Sequence, residues 1–164
     1  MTMDLKLVQK AYASWLNQFQ WQWFCTLTFK VPPHPEAADK KFRYWIHQLN
    51  CALHGKRYLK KGQGIYWVLA LEYHRSEAIH FHALLADTQD LNVRFKRTQA
   101  KQLWCELAGF ARIDGIIDDI DEQRLAVTNY LSKYVTKGGE LTVSDTLKNY
   151  AIQSVIVSSD GKAI

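Results

Sequence analysis

The chain has little of what would fix it in a membrane, a secretory route or a covalent framework. No apolar run approaches the ~20 residues that a bilayer-spanning helix needs, which excludes a helical membrane protein. The opening Met1-Thr2-Met3-Asp4-Leu5-Lys6 has neither the long apolar centre nor the cleavage site of a secretory signal, so an intracellular, cytoplasmic protein is expected. Cysteine is scarce. Cys25, Cys51 and Cys105 are odd in number and widely spaced, which argues against a disulfide framework or thiolate zinc cluster and predicts reduced, mostly buried thiols. Proline is confined to Val31-Pro32-Pro33-His34-Pro35, a single decisive break. No repeat, low-complexity segment or linker divides the chain. One domain over residues 1–164 is expected, large enough to bury a core without staples.

What is present is apolar, aromatic and basic. Hydrophobic residues make up 48% and charged residues 23%, the balance of a folded globular protein rather than a disordered one. Net charge is +5, and the cations are grouped at Lys40-Lys41-x-Arg43, Lys56-Arg57-x-x-Lys60-Lys61 and Arg94-x-Lys96-Arg97-x-x-x-Lys101. Any one such group is usually a solvated face. Three of them, interleaved with Phe42, Tyr44, Trp45, Tyr58 and Phe95, suit a surface that neutralises phosphates and stacks bases.

Hydrophobic spacing predicts a helix over residues 4–19, a strand from Trp21 to Phe29 and a long helix from Glu36 to about His54, ended by Gly55. Ile65–Tyr73 and Ile79–Leu85 read as strands, and the short polar His74-Arg75-Ser76-Glu77 between them predicts an antiparallel hairpin. Helices follow over Arg94–Leu107 and Glu122–Lys137, with a strand within 109–120 and an acidic stretch between them. Gly138-Gly139 stops the last helix. The tail, 141–164, is expected to give a helical turn and a strand at Ser154–Val157.

Chemistry concentrates in three places. In Ala78-Ile79-His80-Phe81-His82-Ala83-Leu84-Leu85 the alternation of a strand puts His80 and His82 on one face, spaced to chelate a single divalent ion. Alone, such a pair is as well explained by two hydrogen-bonded histidines. Glu72, on the partner strand of the expected hairpin, is costly to bury without a partner and could supply a third ligand. Two imidazoles and a carboxylate leave positions open for water and phosphate, which suits Mn²⁺ or Mg²⁺, with Zn²⁺ the less favoured ion. In Asn129-Tyr130-Leu131-Ser132-Lys133-Tyr134-Val135-Thr136-Lys137, helical spacing puts Tyr130 and Tyr134 on one face and Lys133 and Lys137 on another. A phenol, with an ordinary pKa of about 10, needs a polarised phosphate and a nearby cation before it attacks phosphorus. The alternative is a helix with two half-buried tyrosines and solvated lysines.

In this order, Phe24-Cys25-Thr26-Leu27-Thr28-Phe29, His80-Phe81-His82 and Tyr130-x-x-Lys133-Tyr134-x-x-Lys137 resemble the three motifs of the HUH endonucleases, the rolling-circle replication initiators (Rep proteins). The resemblance covers about residues 23–140, and the paired tyrosines are similar to the two-tyrosine initiators of small single-stranded DNA phages. It implies an α+β fold with a central antiparallel sheet of about five strands, surrounding helices, and the histidines on a middle strand, as in RRM-like nucleases. It implies metal ligands Glu72, His80 and His82. The nucleophile would be Tyr130 or Tyr134, assisted by Lys133 and Lys137. The reaction would be metal-dependent nicking and joining of single-stranded DNA through a covalent 5′-phosphotyrosine, at an origin hairpin, in a bacterial, phage or plasmid setting that leaves room for host replication proteins. Lys40, Lys41, Arg43, Lys56, Arg57, Lys60, Lys61, Arg94, Lys96 and Arg97 would be the DNA contacts. Thr26 and Thr28 would shape the sheet or touch DNA.

Three other readings compete. A single-strand transposase or a relaxase shares the chemistry, although relaxases usually bring a third histidine where this chain offers Glu72. A non-catalytic nucleic-acid-binding module would use sheet aromatics and the basic groups alone. A small metal-dependent hydrolase would leave the tyrosines structural.

Overall fold

The computed structural model describes residues 4–73, 78–116, 121–137 and 140–149. In chain order they form α1 (Leu5–Leu16), β1 (Trp23–Thr28), α2 (Pro35–His54), β2 (Tyr66–Tyr73), β3 (Ile79–Ala86), α3 (Leu91–Arg94), α4 (Arg97–Leu107), β4 (Ala111–Gly115), α5 (Asp121–Thr136) and β5 (Leu141–Val143). A last helical turn, α6, spans 145–149. The strands make one antiparallel sheet in the order β4-β1-β3-β2-β5, so the histidine strand β3 is central and β2 and β3 form the expected hairpin. This is the α+β architecture that the sequence predicts. Among the described residues no helix is long and apolar enough to cross a membrane.

Alternation along the strands divides the core in two. On one face Trp23, Cys25, Leu27, Leu69, Phe81, Leu85 and Ile113 pack against Phe42, Trp45 and Leu49 of α2 and Ala100 and Trp104 of α4. On the other, Val68, Ala70 and Leu84 meet Leu16, Phe19 and Trp21 around α1 and Leu131 and Tyr134 of α5. Buried indoles keep their N–H groups satisfied, as burial of tryptophan requires: Trp45 donates to the Ala100 carbonyl at 3.0 Å, Trp104 to Thr28 at 3.0 Å and Trp21 to Leu16 at 2.8 Å.

Helix ends follow local chemistry. Asp4 caps α1 by accepting from the Lys6 N–H, Pro35 opens α2 where no intrahelical donor is needed, and Gly55 closes it at φ 80°. Gly109 is required for a different reason. A Cβ there would stand 2.4 Å from the Thr28 carbonyl oxygen, and only hydrogen lets the turn before β4 press against the end of β1. Beyond the sheet, His54 at the end of α2 meets Asp87 after β3, Nε2 to Oδ2 at 2.6 Å, with both side chains buried.

Four sequence expectations change. The helix predicted over Arg94–Leu107 is two pieces, because Phe95 is extended (φ −140°, ψ 135°) and turns its ring toward Trp23. Of the cysteines only Cys25 is buried, where burial pushes its thiol well above the ordinary range, while Cys51 is half-buried and Cys105 exposed. Phe42, Trp45 and Tyr58 are core residues and have no ring face to offer a base. Residues 141–143 form an edge strand on β2, which three residues of sequence did not signal. The acidic residues at 117–120, Gly138-Gly139 and the strand expected at Ser154–Val157 lie outside the described residues.

Candidate active site

Register assembles the site. Glu72 pairs with His80, and Thr28 flanks His80 on the other side; His82 pairs with Ala70 and Thr26. Paired residues share a face, so Glu72, His80, His82, Thr26 and Thr28 all project toward α5. His82 Nε2 lies 2.8 Å from Glu72 Oε2, and its Nδ1 lies 3.4 Å from the Thr26 hydroxyl. The ring is held between two others. Tyr134 stacks on it at 5.2 Å and 16°, and Phe24 lies nearly parallel at 6.2 Å and 8°. With a carboxylate on Nε2, that nitrogen carries the proton and Thr26 donates to Nδ1. A hydroxyl can equally accept, so Thr26 also suits the tautomer with Nε2 free to ligate.

Helix α5 brings both phenols to the same face. Tyr134 donates to Glu72 Oε2 at 3.1 Å, and the hydroxyls of Tyr130 and Tyr134 are 3.0 Å apart. Tyr134 has one hydroxyl proton, which the acceptor-only carboxylate takes, so Tyr130 donates to Tyr134. The chain of bonds therefore runs from Tyr130 through Tyr134 and Glu72 to His82. Exposure separates the phenols: Tyr130 is 37% exposed and Tyr134 5%. Burial, then the neighbouring Tyr130 and the Glu72 carboxylate, pushes Tyr134 far above the usual phenol range. Burial also pushes Glu72 up, but hydrogen bonds from His82 and Tyr134 and the charges of His82 and His80 outweigh it and hold the carboxyl below its usual range. Lys133 sits over the Tyr130 ring, 5.6 Å from its centre. Lys137 is exposed at the end of α5.

Among the described residues no three His, Cys, Asp or Glu side chains stand together as a metal-binding group. The donor set nevertheless fits a hard or borderline divalent ion. Glu72 and His82 face each other atom to atom, and His80 occupies the next position on the same face, close enough for its charge to act on Glu72.

The basic groups named in the sequence lie elsewhere. Lys40, Lys41 and Arg43 are on α2, across the sheet from the histidines. Lys40 pairs with Glu36 at 3.0 Å, Lys41 donates to the Leu107 carbonyl at 3.0 Å, and Arg43 pairs with Asp39 at 2.7 Å while lying over Trp67. Lys56, Arg57, Lys60 and Lys61 are exposed in the turn after α2, and Arg94, Lys96 and Arg97 are exposed around the α3–α4 junction. Those two groups adjoin the end of the sheet opposite Glu72 and His80. The sequence reading gave no role to Phe24, which fixes the His82 ring, nor to Arg112, opposite Thr26 and exposed on the site's face. Their even spacing with Thr26 and with Asp114 was the available signal.

Fold and site together define an α+β protein that gathers carboxylate, imidazole and phenol groups on one face of a five-stranded antiparallel sheet. A family model for replication-associated proteins of the ORF2 type matches residues 22–139, and the chain belongs to that family. Membership fits a Rep-type replication initiator. The matched span starts after α1 and stops before β5. Searches among curated proteins and among solved structures gave no match.

Proposed function

We propose that this chain is an HUH-type initiator that nicks and rejoins single-stranded DNA through a covalent 5′-phosphotyrosine. The observation that carries this reading is the hydrogen-bond chain Tyr130–Tyr134–Glu72–His82, which joins a solvent-accessible phenol to a histidine–carboxylate pair on the central strands. Glu72, His80 and His82 would hold Mn²⁺ or Mg²⁺. A bound divalent ion supplies polarisation of the scissile phosphate and stabilises its developing charge.

The chain's own residues do the rest. Tyr130 is the nucleophile, because its hydroxyl reaches solvent while that of Tyr134 is enclosed and committed to Glu72. The Tyr130 oxygen forms the new bond to phosphorus, the bond to the 3′-oxygen breaks, and that oxygen leaves as a hydroxyl on taking a proton. The Tyr130 proton has Tyr134 as its first acceptor. Lys133, over the Tyr130 ring, places a cation beside the attacking oxygen and the phosphate. Thr26 and the flanking Phe24 and Tyr134 rings hold His82 in orientation. Attack by a free 3′-hydroxyl on the phosphotyrosine reverses the exchange and seals the strand, with no nucleotide cofactor required. Family membership favours replication initiation over transposition or mobilisation.

The test is an SDS-stable adduct. Wild-type protein incubated with Mn²⁺ and single-stranded DNA bearing an origin hairpin is expected to form one, and His82→Ala and His80→Ala are expected to form none. Cleavage without an adduct would replace this reading with a hydrolase, and binding without cleavage would replace it with a binding module.

A further inference from the structure

Helix α1 lies outside the span that the family model matches, yet it packs along α5, the helix that carries the tyrosines. The two helices touch at small side chains, Ala13 and Ser132, both buried, and beside that contact they leave a groove of about 290 Å³. Its sides are Lys6, Gln9 and Lys10 from α1 and Asn129 and Lys133 from α5. Among the described residues this lining offers three ammonium groups, two amides and no carboxylate. One of the three, Lys133, is also the residue over the Tyr130 ring, so the groove opens at the nucleophile of the proposed reaction. Lys6 and Lys10 lie one helical turn apart, a rise of about 6 Å.

We propose that this groove holds the sugar-phosphate backbone of the single-stranded DNA that continues from the attacked phosphate. The proposal rests on the reading of the site given above and adds to it a strand path and an element, α1, that serves it. A row of cations on a helix, with amide donors and acceptors between them, recognises phosphates without regard to sequence. Lys133 would then take the phosphate next to the scissile one, and Lys10 and Lys6 those beyond. The groove sets affinity and strand direction; the choice of sequence lies elsewhere.

Lys6 and Lys10 are exposed, so replacing them leaves the core intact. Binding of a fluorescein-labelled oligothymidylate is followed by anisotropy in EDTA, across a salt series, for wild type, Lys6→Gln/Lys10→Gln and Lys6→Arg/Lys10→Arg. Loss of two phosphate contacts is expected to flatten the salt dependence by roughly 1.4 logarithmic units per decade and to weaken binding roughly tenfold near physiological salt, with the arginine pair close to wild type. Wild-type affinity and slope in the glutamine pair would overturn the groove. So would a loss confined to duplex DNA, which would place a double strand there instead. If that glutamine pair is unchanged while wild type still forms the adduct, the groove alone falls. If wild type neither binds single strands nor forms the adduct, the reading of the site falls with it.

Discussion

The molecule contains two histidine–carboxylate pairs of nearly equal length, and they do opposite things. His54 and Asp87 meet at 2.6 Å with side chains 2% and 1% exposed; His82 and Glu72 meet at 2.8 Å with side chains 7% and 36% exposed. Asp87 is closed. Its second oxygen accepts from the Thr88 hydroxyl and the Gln89 N–H, and Gln22 ties the same turn to β1 by bonding Asp87 and Leu91. Glu72 is open on one side and ends a chain of phenols that leads to solvent. The distance between partners therefore does not distinguish a structural bolt from a reaction centre. What distinguishes them is whether the remaining lone pairs are already used and whether something can approach.

Replacing the histidine of each pair should break the comparison most sharply. His82→Ala is expected to abolish the DNA adduct while the protein stays folded. His54→Ala is expected to cost about 3–5 kcal/mol of stability, the usual result of orphaning one member of a buried pair, while the folded fraction still reacts. Denaturant titration and adduct yield, measured on the same samples, check both. If His54→Ala were inactive at full stability, the bolt would be misassigned.

The phenols should separate next. Tyr130→Phe is expected to leave no adduct. Tyr134→Phe keeps the nucleophile but loses the bond to Glu72, and a roughly ten- to hundredfold slower reaction is expected, in the range of a lost positioning or proton-transfer contact. Single-turnover rates decide between them, and equal loss in both variants would count against a division of labour.

Behind His82, Thr26 can donate to or accept from Nδ1, and removing that partner should weaken the ion site. Thr26→Val is expected to reduce Mn²⁺ affinity roughly 10–100-fold by calorimetry, with little change in fold. Unchanged affinity would mean that the flanking rings alone fix the imidazole.

The smallest effect is acid sensitivity. The Glu72 carboxyl is held below its ordinary 4.5, so its contribution to stability is fully present above that pH and is lost as pH falls through the lower folded value. In EDTA, the difference in urea midpoint between wild type and Glu72→Gln should therefore be largest near neutrality and shrink below about pH 4.5. A difference that stayed constant with pH would mean that the charge on Glu72 does not contribute.

Much of this was legible in the residues. Period-2 runs marked β1, β2 and β3, and the short polar link predicted the hairpin that sets Glu72 beside His80. Helical spacing put Tyr130 and Tyr134 on one face, and both reach the site. Other features were written only in three dimensions. Phe42 and Trp45 sit among lysines in sequence but point into the core, because the basic side of α2 is its outer side. Phe95 breaks a continuous helical pattern by packing against Trp23, a partner 72 residues away. The strand β5 is too short to carry a period. The cations nearest Tyr130 come from α1 and α5, and the basic runs that composition makes conspicuous lie elsewhere.

The central claim is that the open pair serves one phenol, and peptide mapping tests it most directly. Wild-type protein is reacted with single-stranded DNA and Mn²⁺, digested with protease and nuclease, and the nucleotide-bearing peptide is sequenced by mass spectrometry. The account predicts the nucleotide on Tyr130. A nucleotide on Tyr134, or on both tyrosines in comparable amounts, would contradict it.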